Sequence, residues 1–229
     1  MEINEIISKL AAIKNKGYVK SKRNGPTGIG FTLEKLLGLK ENNISLPDFG
    51  TIELKATRTN SQSMITLFTF NNKAWKMRPL DAVKKYGSFD RNDRIGLYYT
   101  MSTTPNGVGL FLDVTNDDVR VRHIDGEIVV VWPLEAISDK FEKKVKSVLL
   151  VKAQTEMRGK NEYFYYDRAK LLTGGTTKEI IKSKFETEKL LVDLRLHDKG
   201  TMARNHGTGF RIYESDLEDF YEFVEEIKF

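Results

Sequence analysis

Residues 47–57 read PDFGTIELKAT. From Ile52 onward apolar and polar residues alternate, so Ile52, Leu54 and Ala56 fall on one face of an extended chain and Glu53, Lys55 and Thr57 on the other. That period of two is the signature of a half-buried strand. Glu53 and Lys55 then project from one face about 7 Å apart, and Asp48 can approach them from the preceding turn. Two carboxylates meeting there make an oxygen-rich site suited to Mg²⁺, a hard cation that takes one or two protein carboxylates, several waters and a phosphate. A lysine beside them can orient or help deprotonate an attacking water and stabilise charge developing on a phosphate, while a bound cation activates that water and offsets charge on the leaving oxygen. This is the chemistry of phosphodiester hydrolysis. The spacing is loose, however, and a solvated strand face with Glu53 and Lys55 as a surface ion pair satisfies the same letters.

The rest of the chain narrows the choice. With 229 residues, 40% hydrophobic and 10% aromatic, there is material for a proper core and for one domain. No apolar run has membrane length, and MEINEIISKL reads as an amphipathic helix, since Glu and Lys interrupt any signal-peptide core. Cysteine is absent, which excludes a disulfide framework, a thiolate nucleophile and a cysteine zinc site, and is compatible with a reducing cytoplasm. The net charge is +5, but residues 214–229 hold seven acids and one base, a net −6, which leaves +11 on the remainder. A field of that sign attracts polyanions, nucleic acid or an anionic membrane surface above all.

Mixed α and β elements are expected along the chain. Ile3, Ile6, Ile7, Leu10 and Ile13 share a helical face over residues 2–14, and Gly17 is a plausible stop. The loop KSKRNGPTGIG leads into a short helix, FTLEKLLGL, ending near Gly38. Strands are expected at about 64–70, 95–102, 108–114, 119–123 and 127–132, with turns at Asn116-Asp117 and Asp125-Gly126. A helix over 134–148, strands near 149–154 and 163–166, a helix at 178–184 and strands over 190–197 and 207–213 follow. Ser215 and Glu218 spell a capping box that would open an acidic helix with Leu217, Phe220, Tyr221 and Val224 inward.

Three segments together, KRNGPTGIGFTLEKLLG, ENNISLPDFGTIELKA with SMITLFT, and ARNHGTGFRI, resemble the MvaI/BcnI type II restriction endonucleases and, more remotely, the mismatch-repair nickase MutH. The similarity runs over about residues 22–70 and 190–213. It implies an α/β (α+β) restriction-endonuclease-like PD-(D/E)xK fold with a central mixed sheet flanked by helices. One domain over 1–229 is expected, in two lobes around a DNA cleft, with a catalytic lobe over about 1–100 and recognition elements mainly at 190–213. The resemblance also implies monomeric action, dependence on Mg²⁺ with Mn²⁺ as a substitute, cleavage of short duplex sites of the CC-N-GG kind, CCWGG-like, and a cognate methyltransferase that protects host DNA. Asp48 and Glu53 would be metal ligands, Lys55 the catalytic lysine, and Glu34 the helix-borne acid of the MutH-like group. The shorter Asp-to-Glu spacing favours the restriction branch over the nickase.

DNA contacts are expected from basic and polar loops. Arg204, Asn205, His206 and Arg211, with Arg195 and His197 on the neighbouring strand, offer donors for major-groove base edges, where arginine to guanine is the commonest specific contact. Lys20, Lys22 and Arg23 are placed as backbone clamps, which position without reading sequence, and Thr27 and Arg58 are expected among the DNA-binding residues. NGPTGIG is no P-loop, because no G-K-[ST] follows. Three functions stay open on these grounds: a site-specific endonuclease cutting both strands, a MutH-like nickase, and a DNA-binding module with an inactive site.

Overall fold

The computed structural model describes residues 3–39, 47–59, 61–71 and 74–229. Residues 40–46, which begin the ENNISLPDFG stretch, lie outside that set. In chain order the elements are α1 (Ile3–Lys14), β1 (Val19–Lys20), α2 (Gly28–Leu37), β2 (Ile52–Arg58), β3 (Ile65–Thr69), α3 (Pro79–Tyr86), β4 (Ser88–Phe89), β5 (Ile95–Met101), β6 (Leu110–Val114), β7 (Asp118–His123) and β8 (Ile128–Pro133). Then come α4 (Leu134–Val145), β9 (Ser147–Arg158), β10 (Asn161–Thr173), α5 (Lys178–Glu186), β11 (Leu190–Asp198), β12 (Ala203–Asn205), β13 (Gly209–Ile212), α6 (Glu214–Leu217), a 3₁₀ turn at Glu218–Phe220 and β14 (Phe223–Ile227). Among the described residues no helix is long and apolar enough to cross a membrane.

The chain divides into two compact units, neither of them continuous in sequence. The first comprises Met1–Ser63, Glu142–Gly175 and Tyr221–Phe229; the second comprises Met64–Phe141 and Thr176–Phe220. A lobe over residues 1–100 is thus redistributed. Residues 64–100 join the second unit, and β9, the strand paired with β2, comes from the middle of the chain, while the acidic end adds a strand to β10.

The first unit is organised by β2. It pairs in parallel with β9, Glu53 opposite Val148 and Lys55 opposite Leu150, and β9 pairs antiparallel with β10. One face of this sheet presents Leu54, Leu149, Val151, Ala153, Phe164, Tyr166 and Ala169, and packs with Ile6, Leu10 and Ile13 of α1 and Ile29, Leu33 and Leu37 of α2. Each such side chain stabilises the fold by about 1.5–3 kcal/mol when fully buried. The opposite face carries Glu53 and Lys55, so the alternation read from the sequence decides which side of the sheet does chemistry. The Gly-rich loop before α2 needs its glycines: Gly25 has φ +84°, and a Cβ on Gly28 would meet the Arg23 carbonyl oxygen at 2.3 Å.

In the second unit a sheet of order β3-β13-β11-β5-β4 also receives β12 against β11, and β6-β7-β8 form a separate meander. The Asp125-Gly126 turn closes β7 onto β8 as expected, with Gly126 at φ +102°. The helix expected over 134–148 ends at Val145, and Val148 enters β9.

The acidic helix expected from Ser215 does not form. Only Glu214–Leu217 is α-helical, its N-cap Tyr213 makes no side-chain cap, and Phe223–Ile227 becomes a strand antiparallel to Ala169–Thr173. Leu217, Phe220 and Tyr221 are buried as the helical pattern requires, but Val224 is 42% exposed. A short helix nucleus is marginal by itself. The backbone groups on the edge of β10 offer Phe223–Ile227 a full ladder of partners.

Candidate active site

Asp48, Glu53 and Lys55 come together in the first unit. Phe49 and Ile52 close a tight turn by exchanging backbone hydrogen bonds of 2.9 Å each, which folds Asp48 back over the strand it precedes. Its Oδ2 accepts from the Leu54 backbone N–H at 2.9 Å. The residue as a whole is exposed, yet its carboxyl lies against the strand, and burial together with the charge of Glu53 raises its pKa above the usual carboxylate value.

Glu53 is 4% exposed. A buried glutamate is not a solvated surface charge, and this removes the bland reading of the motif. Lys55 Nζ donates to its Oε1 at 2.9 Å. Lys144 Nζ lies 2.7 Å from Oε2, but as an ion contact without hydrogen-bond geometry, so Oε2 has no hydrogen-bond donor among the described residues. An anionic oxygen buried without a donor is costly unless something else approaches it.

Lys144 is the residue that reading the sequence missed. It sits in the last turn of α4, in a lysine-rich run, DKFEKKVKS, with nothing local to single it out. What brings it to Glu53 is the parallel pairing of β2 with β9: Val148, the partner of Glu53, lies four residues beyond Lys144. Its side chain is 16% exposed, so the charge is held in place and little screened.

Glu34 is half-buried on α2. No group of three His, Cys, Asp or Glu side chains able to hold a metal occurs among the described residues, so Glu34 is not gathered with Asp48 and Glu53. The two carboxylates that do meet, one with an unsatisfied buried oxygen, suit a cation that takes one or two protein carboxylates and completes its shell with waters and a phosphate.

The expected DNA-contacting residues sort differently. Lys20, Lys22, Arg23 and Thr27 are exposed, and the Arg23 guanidinium lies 3.7 Å from the centre of the Phe31 ring. Arg58 is engaged within the unit: Glu162 accepts from it at 2.7 and 2.8 Å, and the Pro26 and Gly25 carbonyls at 3.2 and 3.3 Å, so it braces the Gly-rich loop.

In the second unit Arg204 and His206 are exposed and Asn205 is half-buried. Arg211 does not point freely to solvent as its alternation with Phe210 and Ile212 implies. Its Nη1 donates to Asp193 Oδ2 at 2.9 Å and its Nη2 to the Met64 carbonyl at 2.9 Å, leaving the side chain 21% exposed. Arg195 shares the same carboxylate oxygen at 2.9 Å but stays 47% exposed. His197 is 1% exposed, because β11 lies between paired neighbours and the His206 ring stacks over it at 5.0 Å between centroids. It is a support for His206 rather than a surface donor. Burial and the nearby Arg94 charge hold its pKa below the ordinary histidine value.

Comparison with known proteins agrees with this geometry. A family model described as the MvaI/BcnI restriction endonuclease family matches residues 7–221. A solved structure of restriction endonuclease MvaI in complex with cognate DNA is 27% identical, with 99% of each chain covered and a TM-score of 0.83. MvaI in the absence of DNA is 26% identical, covers 99% of this chain and 98% of its own, and gives a TM-score of 0.55. A search of curated proteins finds no match. With a family match over nearly its whole length and a like fold in MvaI, the chain belongs to the MvaI/BcnI restriction endonuclease family.

Proposed function

We propose that this chain is a type II restriction endonuclease that hydrolyses both strands of duplex DNA at a short pseudopalindromic site of the CC-N-GG kind, using Mg²⁺ held by Asp48 and Glu53. The observation that carries the reading is Glu53, 4% exposed with a buried Oε2 that lacks a hydrogen-bond donor, beside a second carboxyl whose pKa is raised. Such a pair invites a divalent cation. When bound, the cation lowers the pKa of a water and offsets charge on the phosphate.

The chain's own groups do the rest. Asp48 is fixed by the Leu54 N–H and Glu53 by Lys55, so both carboxylates are held in place for a cation. Lys55 stands 2.9 Å from Glu53 Oε1, where its ammonium holds the attacking water in line or takes up charge on a phosphoryl oxygen. Because only two acids gather, a DNA phosphate must complete the cation's shell, which ties tight metal binding to substrate binding. Duplex DNA as the partner is supported by the relative solved with its cognate DNA and by the +11 charge outside the acidic end.

A monomer with one such centre must cut the two strands in succession, and a companion methyltransferase would protect host DNA in a prokaryotic cytoplasm. Digestion of unmethylated plasmid by the purified protein with Mg²⁺ alone tests this reading. Discrete linear fragments preceded by a nicked circle are expected. Nicked circles that never become linear would assign a nickase, and intact plasmid would assign a binding module.

A further inference from the structure

Past the end of β2 the first unit holds a feature that the cleavage centre does not use. β2 stops at Arg58 while β9 runs on to Arg158, and the edge left bare borders a pocket of about 500 Å³. Tyr18, Arg58, Thr59, Gln154, Thr155 and Arg168 line it. Among the described residues its walls are hydroxyls, an amide and two guanidiniums, with no acid; Glu162 and Asp167, which neighbour the two arginines, are not part of the lining.

The pocket is built rather than incidental. The β9–β10 ladder is regular from Asn161 to Tyr166 and then skips a residue, so that Lys152 faces Arg168 instead of Asp167. A bulge of this kind re-aims a side chain. By alternation Lys152 shares its face with Leu150 and Val148, the partners of Lys55 and Glu53. The bulge therefore puts Arg168 on the catalytic face opposite Lys152, with Asp167 close by, its Oδ2 accepting from Gln154 Nε2 at 2.6 Å. Arg168 is steadied by a 2.9 Å hydrogen bond from Nη2 to Thr59 Oγ1, yet its side chain remains 51% exposed. Tyr18 packs 5.5 Å from the Tyr165 ring and forms a wall set in advance.

We infer that this pocket is a subsite for a backbone phosphate of the duplex, with Arg168 as its anion contact. The inference rests on the endonuclease reading. Five to six residues separate Glu53 from Arg58 and Thr59, about 17–20 Å at roughly 3.3 Å per residue. A duplex rises about 3.4 Å per base pair, so with β2 running along the duplex axis the contact lies about five to six base pairs from the cut. It grips DNA that flanks a short recognition sequence and helps set how much flanking duplex the enzyme needs.

The test is binding, measured at several salt concentrations without cleavage, for wild type, Arg168→Ala, Arg168→Lys and Thr59→Val, on duplexes that extend about three or about twelve base pairs either side of a mapped cut. Arg168→Ala should bind the long duplex severalfold more weakly, with a salt slope reduced by about one, and the short duplex like wild type. Arg168→Lys should restore the slope, and Thr59→Val, which keeps the charge but frees it, should weaken long-duplex binding less than Arg168→Ala does. Equal losses on both duplexes, no loss at all, or a Thr59→Val loss matching that of Arg168→Ala would overturn the subsite. So would inorganic phosphate or a free mononucleotide binding as tightly as duplex, which would assign the pocket to a soluble anion. Plasmid left intact by wild type would sink the endonuclease reading alone, because this test reads binding.

Discussion

Two buried acids, each flanked by two bases, are built to opposite ends. Glu53 is 4% exposed and approached by Lys55 and Lys144; Asp193 is 5% exposed and approached by Arg195 and Arg211. Around Asp193 both carboxylate oxygens are met, Oδ1 accepting from Thr100 at 3.1 Å and Oδ2 from both arginines at 2.9 Å, although Arg211 Nε is buried without a hydrogen-bond partner among the described residues. That acid is a holder, and its product is a pair of aligned guanidiniums. Around Glu53 the account stays open, because Oε2 has a charge beside it but no donor, and a second carboxyl stands close with its pKa raised. That acid is itself the functional group. Residue types and burial are nearly the same in the two clusters, so what separates them is whether the acid's own two oxygens are both met by donors.

The largest effect should come from disarming the open cluster. Glu53→Gln or Asp48→Asn should lower plasmid cleavage by at least about a thousandfold, since a carboxamide cannot supply the anionic oxygen behind several kcal/mol of metal-borne stabilisation. DNA binding should persist in a gel-shift titration. Cleavage near the wild-type rate by both variants would reduce the cluster to another scaffold.

Disarming the closed cluster should act on recognition and folding rather than on chemistry. Asp193→Asn should cost about 1–3 kcal/mol of stability, less than the roughly 3–5 kcal/mol of a fully buried pair because Arg195 is half in water. The ratio of specific to non-specific affinity should shrink, while cleavage of saturating DNA changes little. An unchanged denaturation midpoint and unchanged specificity would show that the arginines need no holder.

Two smaller effects sharpen the difference. Lys144 competes with any cation for Glu53 Oε2, so Lys144→Met should tighten Mn²⁺ binding severalfold and, in chelator, cost about 1 kcal/mol by leaving Glu53 less compensated. Weaker Mn²⁺ binding would instead make Lys144 an organiser of the site. The sign for Asp48 follows from its raised pKa: the folded state holds that proton more tightly than the unfolded chain. In chelator, stability should fall as pH rises from the unfolded carboxylate value, about 3.9, through the raised folded value. Thermal unfolding of Asp48→Asn should lose this dependence and show a slightly higher midpoint at neutral pH. A lower midpoint would mean that the Leu54 hydrogen bond outweighs the burial of charge.

Much of this arrangement was legible in the chain. The alternation Ile52-Glu53-Leu54-Lys55-Ala56 gave the strand and its two faces, and the apolar period of residues 3–13 gave the helix that covers one of them, because burial on a single face imprints its period directly on the sequence. Lys144 was not legible, since its meaning lies in a parallel pairing between segments about ninety residues apart. Neither was the confinement of Arg211: alternation says which way a side chain leaves its strand, but not that Asp193 on the neighbouring strand waits to bind it. The acidic end failed for a third reason. Its helical period places Leu217, Phe220 and Tyr221 correctly, but beyond them the edge of β10 supplies backbone partners that no side-chain period announces.

The central claim is that the unsatisfied oxygen of Glu53 and its neighbour Asp48 accept a divalent cation, whereas the satisfied Asp193 does not. Titration of Mn²⁺ by electron paramagnetic resonance, with and without uncleaved duplex, on wild type, Glu53→Gln, Asp48→Asn and Asp193→Asn tests it most directly. Wild type and Asp193→Asn should bind Mn²⁺ alike, and more tightly with DNA than without, while Glu53→Gln and Asp48→Asn should bind it at least about tenfold more weakly, the loss of one anionic ligand. Equal Mn²⁺ binding by all four proteins would contradict the account.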